Sequence, residues 1–311
     1  MSYLLALAER LTGPLSNWES ARRQRHADFI RSQQMSDGGF RGREGDADLY
    51  YTGFAVRGLS ILGEMTPADA ALIAPFLRQY EPHRLNTVDL LSWLYATLAL
   101  QIATGDDLLV ELPAGWSDQI LAQIHALRRD DGGYAKSADG ALGSTYHTFL
   151  AGLVIEMLGQ SWPEPNAVVR FLYDQQRDDG GFVEIAPMKR GGTNPTAAAA
   201  AVLHQLGHAD DELREDIAHY LNLVWSSEGG FAANTRIPFP DGLSTFTALL
   251  TVQDLQAPFP VRADLIERWF TEQLEFPTGG FRGAAWDDQA DVEYTFYGLG
   301  TLALLAAGRA E

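Results

Sequence analysis

Six short stretches of the sequence place polar side chains directly before or within the first turn of an apolar run with helical spacing. They are Asp46 and Asp48, Asn86 and Asp89, Ser144 and His147, Asn194, Asp241, and Asp291 with Glu293 and Tyr294. Asp, Asn and Ser at helix starts are common N-caps, and a carboxylate there suits the helix dipole. Capping does not explain His147, Glu293 and Tyr294, which lie inside the predicted first turn. A buried carboxyl with a raised pKa can act as a general acid, and helix N-termini can hold an anionic group.

Aromatic residues lie at the same level of the predicted helices. They are Tyr50, Tyr51, Trp93, Tyr95, Tyr146, Phe149, Phe246, Tyr294, Phe296 and Tyr297. Aromatic side chains at helical spacing are commonly core residues. A ring of them around a cavity would instead form an apolar well for an isoprenoid or other lipid chain, and their faces could stabilise a carbocation.

A repeated pattern positions these residues. In Gly229–Leu250 two turn glycines and an aromatic residue are followed by a polar loop, Asp241 and an apolar helix. The turn recurs at Gly38–Phe40, Gly132–Tyr134, Gly180–Phe182 and Gly279–Phe281. Later copies are about 48 residues apart and the first gap is about twice that, which predicts a degenerate copy near Tyr80–Trp93.

The pattern of outer helix, glycine turn and inner helix, about six times over, predicts an all-α fold. We expect an α/α6 toroid in a single domain over residues 1–311, with N-terminal helices in 1–33 and repeats in 34–311. Ser16 is the expected cap of a helix over Ser16–Gln33. Asn194 is the expected cap of a helix over Pro195–Leu206.

Composition narrows the functional classes. The net charge of −18 disfavours a nucleic-acid or anionic-membrane partner, because both need a basic surface. The absence of cysteine excludes disulfides and thiolate zinc ligands. No apolar run approaches the ~20 residues of a membrane span, and the start of the chain does not read as a signal peptide. We therefore expect a cytoplasmic protein.

Three stretches resemble the protein prenyltransferase β-subunits and the related squalene–hopene and oxidosqualene cyclases. They are GGFRGREGDADLYYTGFAVRGLSILG from Gly38, GGFAANTRIPFPDGLSTFTALL from Gly229 and GGFRGAAWDDQADVEYTFYGLGTLALL from Gly279. The resemblance covers most of the chain from about Gln33 and implies a helical toroid around a lipid-binding funnel. For a prenyltransferase it also implies a helical α-subunit as partner.

The resemblance further implies a zinc site of Asp, Cys and His. Asp241 matches the first ligand, whereas Leu243 and Tyr294 stand at the cysteine and histidine positions. One ligand of three cannot hold zinc. We therefore expect no zinc at this site and leave magnesium open as a cofactor. Tyr146-His147-Thr148 keeps the histidine pattern in the third repeat, so a relocated metal site with Asp89 stays open.

Three functions remain. The favoured one is a prenyltransferase-β-like protein that binds an isoprenoid diphosphate. In it, Arg236, Arg43 and Lys189 hold diphosphate, and Asp241, His147 and Tyr294 act on the acceptor. The expected substrate-binding set is Arg43, Asp48, Tyr51, Trp93, Tyr146, Lys189, Arg236 and Phe246. The second is a single-barrel terpene cyclase with an acid cluster of Asp288, Asp291 and Glu293. The third is a non-catalytic toroid that binds lipid or another protein.

Overall fold

The computed structural model describes residues 2–308, and this part of the chain is mostly helical. Its helices are α1 (Tyr3–Ser16), α2 (Ser20–Ser32), α3 (Leu49–Ile61), α4 (Pro67–Leu77), α5 (Thr87–Thr104), α6 (Trp116–Ala126), α7 (Thr145–Met157), α8 (Pro165–Asp174), α9 (Thr193–Gln205), α10 (Asp211–Val224), α11 (Gly242–Leu255), α12 (Ala263–Trp269) and α13 (Val292–Ala307). A π-helical turn, Phe270–Leu274, continues α12, and short 3₁₀ helices cover Pro82–Arg84 and Leu108–Glu111. Two antiparallel strands, β1 (Trp225–Ser226) and β2 (Gly230–Phe231), pair with each other.

The chain forms two compact units. The first unit comprises the chain up to Ala122 and again from Leu274, and the second comprises Gln123–Gln273. In the first unit α3 packs against α5 and α13, and α1 packs against α13 and α3. In the second unit α9 packs between α7 and α11. No helix within residues 2–308 is long and apolar enough to cross a membrane.

A buried threonine ties each glycine–aromatic turn to the inner helix that follows it. In the fifth repeat the Phe231 amide donates to Thr245 Oγ1 at 3.0 Å, and that hydroxyl donates to the Asp241 carbonyl at 2.7 Å. The pairs Phe40–Thr52, Tyr134–Thr148, Phe182–Thr196 and Phe281–Thr295 repeat the first of these bonds. In the second repeat Asn86 caps α5 and Leu90 takes the place of the threonine. The glycine turn and its threonine are therefore both missing there.

The last repeat packs on the first within the first unit. Gly279 has a φ of +96°, and a Cβ there would lie 2.2 Å from the Arg25 carbonyl of α2. His26 is fully buried, and its Nδ1 accepts from the Gly280 amide at 3.0 Å. Nδ1 thus has no proton, so in a neutral ring Nε2 carries the proton that faces Glu275 Oε1 at 3.1 Å. Because a Cβ at position 279 would overlap the Arg25 carbonyl, only glycine lets this turn lie so close to the backbone of α2.

Two predicted caps are wrong. Ser16 is the last residue of α1 and its hydroxyl donates to the Gly13 carbonyl, so α2 begins only at Ser20. Asn194 lies inside α9, whose N-cap is Gly192. The Gly192 amide donates to the Phe182 carbonyl, so closure of the loop fixes the start of the helix. The Asn194 side chain instead accepts from Thr247 Oγ1 at 2.9 Å.

Candidate functional site

An ion-pair cluster surrounds the start of α13 in the first unit. Asp291 is the N-cap of this helix, and its Oδ1 accepts from the Tyr294 amide at 2.8 Å. Its Oδ2 accepts from Arg43 Nε at 3.0 Å, and the terminal nitrogens of Arg43 bind both carboxylate oxygens of Asp287. Burial raises the pKa of Asp291, and the Arg43 guanidinium opposes that rise. Arg43 is therefore already neutralised by two carboxylates.

Glu293, the second residue of α13, is the carboxyl of this region with the largest change in acidity. Its Oε1 accepts from the Tyr50 hydroxyl of α3 at 2.7 Å. Burial raises the pKa of Glu293 to about 7, and the Asp291 charge adds to the effect while Tyr50 and Arg43 oppose it. With such a pKa the protonated form of Glu293 is present near neutral pH, and this is the form that a general acid needs.

Aromatic rings pack around Tyr50, whose hydroxyl binds Glu293. The Tyr50 ring lies 5.0 Å from Phe54 and 5.3 Å from Tyr51, and Phe54 lies 5.3 Å from Tyr297. We call Tyr50, Phe54, Phe296 and Tyr297 the aromatic wall. The faces of such rings attract cations. A protonatable carboxyl beside them can donate a proton to an alkene, and the rings can stabilise the carbocation that results.

The other predicted residues of the first unit take different places. Tyr294 lies 5.9 Å from the Arg43 guanidinium carbon. Asp48 caps α3 through the Tyr51 amide, and burial raises its pKa. Asp288 is exposed. Its neighbour Asp287, and not Asp288, binds the Arg43 guanidinium together with Asp291. Trp93 is 2% exposed and its Nε1 donates to the Leu77 carbonyl, so it packs in the core.

A second polar cluster lies at the start of α7 in the second unit. The Ser144 hydroxyl donates to the Glu184 carboxylate and lies 2.9 Å from His147 Nδ1. Because the hydroxyl hydrogen goes to Glu184, Nδ1 is the donor and Nε2 of a neutral ring is free of a proton. Burial lowers the pKa of His147, which favours that neutral base. Burial also raises the pKa of Glu184, a residue that sequence reasoning missed because it occupies no recurring position. Tyr146 beside it is 39% exposed.

Asp241 is bound locally. Its Oδ1 accepts from the Ser244 amide at 2.7 Å and its Oδ2 from the Ser244 hydroxyl at 2.8 Å, while burial raises its pKa. Within residues 2–308 no group of three or more His, Cys, Asp or Glu side chains is placed to hold a metal ion. With Leu243 two residues beyond Asp241, the donor set does not fit the zinc that the resemblance implies.

Within residues 2–308, no basic side chain of the second unit forms an ion pair or hydrogen bond with Asp241. Lys189 lines a surface pocket of about 640 Å³ together with Arg177, Asp178, Asp179, Ala186, Arg190, Leu223 and Thr235. Arg177 uses its guanidinium on loop carbonyls, such as that of Met188. Arg236 is exposed in the loop before Asp241, and Phe246 is 4% exposed within α11.

The prenyltransferase alpha-alpha toroid domain model matches residues 2–84 and 76–310. The chain therefore belongs to the prenyltransferase α/α toroid domain family, and the predicted fold class is confirmed. A search of curated proteins found no match.

Solved structures with the same fold have different activities. Protein geranylgeranyltransferase-I from Candida albicans, complexed with GGPP, has a TM-score of 0.68 at 15% identity, covering 91% of this chain and 90% of that chain. A type II terpene cyclase variant from Scytonema, in complex with its substrate geranylgeranyl dihydroxybenzoate, has a TM-score of 0.62 at 14% identity. The match covers 98% of this chain and 99% of that chain. The GH76A α-1,6-mannanase from Salegentibacter sp. HEL1_6 has a TM-score of 0.62 at 13% identity, and the match covers 94% of this chain and 99% of that chain. At these identities the likeness shows the fold alone.

Proposed function

We propose that the chain binds an isoprenoid and starts a cyclisation by protonating one of its double bonds, with Glu293 as the acid. The observation that carries the proposal is the Glu293 carboxyl, which has a pKa of about 7 and accepts from Tyr50 beside the aromatic wall. The likeness to a terpene cyclase that binds a geranylgeranyl substrate supports it.

The proposed step conserves atoms and charge. The Glu293 O–H bond breaks and a new C–H bond forms at the less substituted alkene carbon, which leaves a tertiary cation on its neighbour. The next double bond of the chain attacks that cation, and the final cation loses a proton to water or to a carboxylate. Glu293 regains its proton from solvent. Rings of the aromatic wall stabilise the cation through their faces, and Tyr50 holds the carboxyl in place.

Prenyl transfer is the second candidate. Binding of GGPP by the geranylgeranyltransferase of the same fold favours it. Within the second unit, neutral His147 supplies a base for an acceptor, and Lys189 with Arg190 supplies cations for a diphosphate. In the first unit Arg43 supports it less, because Asp287 and Asp291 already neutralise its charge.

The test is product analysis with GGPP and with geranylgeranyl dihydroxybenzoate. We expect a cyclic isomer of unchanged mass, detected by mass spectrometry. Glu293→Gln should lower turnover by about 100-fold or more, the usual share of a general acid. Glu44→Gln is the matched control, because it makes the same change at an exposed loop residue of the same unit. Full turnover in Glu293→Gln would remove Glu293 as the acid. Release of diphosphate only when an acceptor is present would favour prenyl transfer.

A further inference from the structure

Arg57 is a cation on α3 that the proposed reaction does not use. It lies seven residues after Tyr50, which is about two helical turns and about 10 Å along the same side of the helix. Its guanidinium carbon is 5.3 Å from the Phe54 ring and 4.9 Å from the Tyr95 ring of α5. Arg57 therefore adjoins the aromatic wall at the end away from Glu293.

No described residue balances this charge. Among residues 2–308, Arg57 forms no ion pair and no side-chain hydrogen bond, and its Nε is shielded from solvent without an acceptor. Arg22, Arg31 and Arg43 of the same unit each bind a carboxylate. The chain has 41 acidic residues against 23 Lys and Arg, so carboxylates are plentiful. A shielded polar nitrogen without a partner is unfavourable, and aromatic faces compensate only in part.

An anionic ligand group would supply the missing acceptor. Arg57 is only partly exposed, with rings on two sides, so a bound anion there would be shielded from competing salt. A planar guanidinium fits carboxylate and phosphate oxygens in pairs. The two ends of the wall thus differ: one carries a protonatable carboxyl and the other carries an unpaired cation.

We infer that Arg57 binds the anionic head group, a diphosphate or a carboxylate, of an isoprenoid whose chain lies along the aromatic wall towards Glu293. The inference rests on the proposed function and adds the chemical class of the substrate and its direction in the site. It makes Arg57 a specificity-determining residue that distinguishes anionic isoprenoids from the corresponding alcohols.

The experiment is calorimetric titration with three probes of one chain length: geranylgeranyl diphosphate, geranylgeranoic acid and geranylgeraniol. For Arg57→Gln we expect the Kd of at least one anionic probe to rise about tenfold or more, with the Kd of geranylgeraniol changing less than about twofold. Arg57→Lys should keep part of the affinity. Arg84→Gln is the matched control, since it removes the same charge from a side chain of the same unit that is 73% exposed.

Each outcome of the titrations either supports or overturns the binding of an anionic head group by Arg57. Weaker binding of the diphosphate alone identifies a phosphate head group, and weaker binding of the acid alone identifies a carboxylate. Unchanged binding of both anions overturns the role of Arg57, while the proposed function stands. Equal loss for geranylgeraniol also overturns it, because Arg57 then only packs the wall. If the unmodified protein binds none of the probes, the proposed function fails and the inference fails with it.

Discussion

The fifth and sixth repeats share one scaffold and differ in the residues that the scaffold presents. In both, a glycine turn leads to a buried phenylalanine whose amide donates to a threonine of the inner helix, Thr245 or Thr295. In both, an aspartate caps that helix, with cap bonds of 2.7 Å for Asp241 and 2.8 Å for Asp291. In both repeats these side chains serve as acceptors for buried or helix-terminal backbone amides, and this need explains the shared frame.

The two capping aspartates differ in the partner of their second carboxylate oxygen, Oδ2. In Asp241 that oxygen accepts from Ser244 three residues away, and in Asp291 it accepts from Arg43 of the first repeat. Two residues after the cap, the fifth repeat has Leu243 and the sixth has Glu293. The caps therefore serve the fold, and the first-turn residues beside them distinguish a candidate site from a purely structural helix start.

The largest expected effect concerns the shared scaffold. A Cβ on Gly229 would lie 2.5 Å from the Leu265 carbonyl and one on Gly279 2.2 Å from the Arg25 carbonyl, both at positive φ. We expect Gly229→Ala and Gly279→Ala each to lower the free energy of unfolding by about 3 kcal/mol or more, measured by urea denaturation. Gly63→Ala is the control, because its φ is +68° with no atom within 4 Å. It should cost about 1 kcal/mol. An equally small loss at all three positions would contradict the backbone contacts.

The threonines should show a smaller, matched effect. Thr245→Val and Thr295→Val keep the shape of the side chain but leave the buried amide of Phe231 or Phe281 without its acceptor. We expect each to destabilise by about 2 kcal/mol in thermal or urea unfolding. A loss in only one repeat would show that the two scaffolds are not equivalent. Thr271→Val, on a partly exposed hydroxyl that bonds only within its own turn, should change stability far less.

The features that could be predicted from the sequence are those that depend on residues close together in the chain. The glycine turns and the caps at Asp48, Ser144, Asp241 and Asp291 each depend on residues within a few positions of one another. The family resemblance depends on the same repeated stretches. Asn194 shows the limit of this reasoning: asparagine is the better cap by type, yet the loop bond of Gly192 sets the helix start.

The candidate site depends on partners that are far apart in the chain. Tyr50 and Glu293 are separated by 243 positions, and Arg43 and Asp287 by 244. The raised pKa of Glu293 comes mainly from burial, which no sequence window reports. Glu293 could therefore be predicted as a candidate from the sequence. Its partner Tyr50, the binding of Arg43 by Asp287 instead of Asp288, and the neutralisation of Arg43 could not.

The pH dependence of stability should separate Glu293 from an ordinary surface carboxylate. Its pKa in the folded protein, about 7, lies above the ordinary value of 4.5. The folded state thus binds the proton more tightly, so this contribution is present at low pH and is lost as the pH rises from about 4.5 to about 7. Relative to Glu293→Gln, the unmodified protein should lose about 1–2 kcal/mol between pH 5.5 and pH 8 in urea denaturation. A stability difference between the unmodified protein and Glu293→Gln that stays flat with pH would contradict the raised pKa of Glu293.

The two aspartate caps provide the finest test, because asparagine caps a helix about as well as aspartate. Burial raises the pKa of Asp241, so its charge is disfavoured in the folded state, and Asp241→Asn should be neutral or slightly stabilising at pH 7. Burial also raises the pKa of Asp291, but the Asp291 carboxylate is paired with Arg43, and Asp291→Asn loses that pairing. We expect Asp291→Asn to be less stable than Asp241→Asn by about 1 kcal/mol, measured by urea denaturation. Equal stabilities would mean that Asp287 alone satisfies Arg43, so that Asp291 would be a plain cap like Asp241.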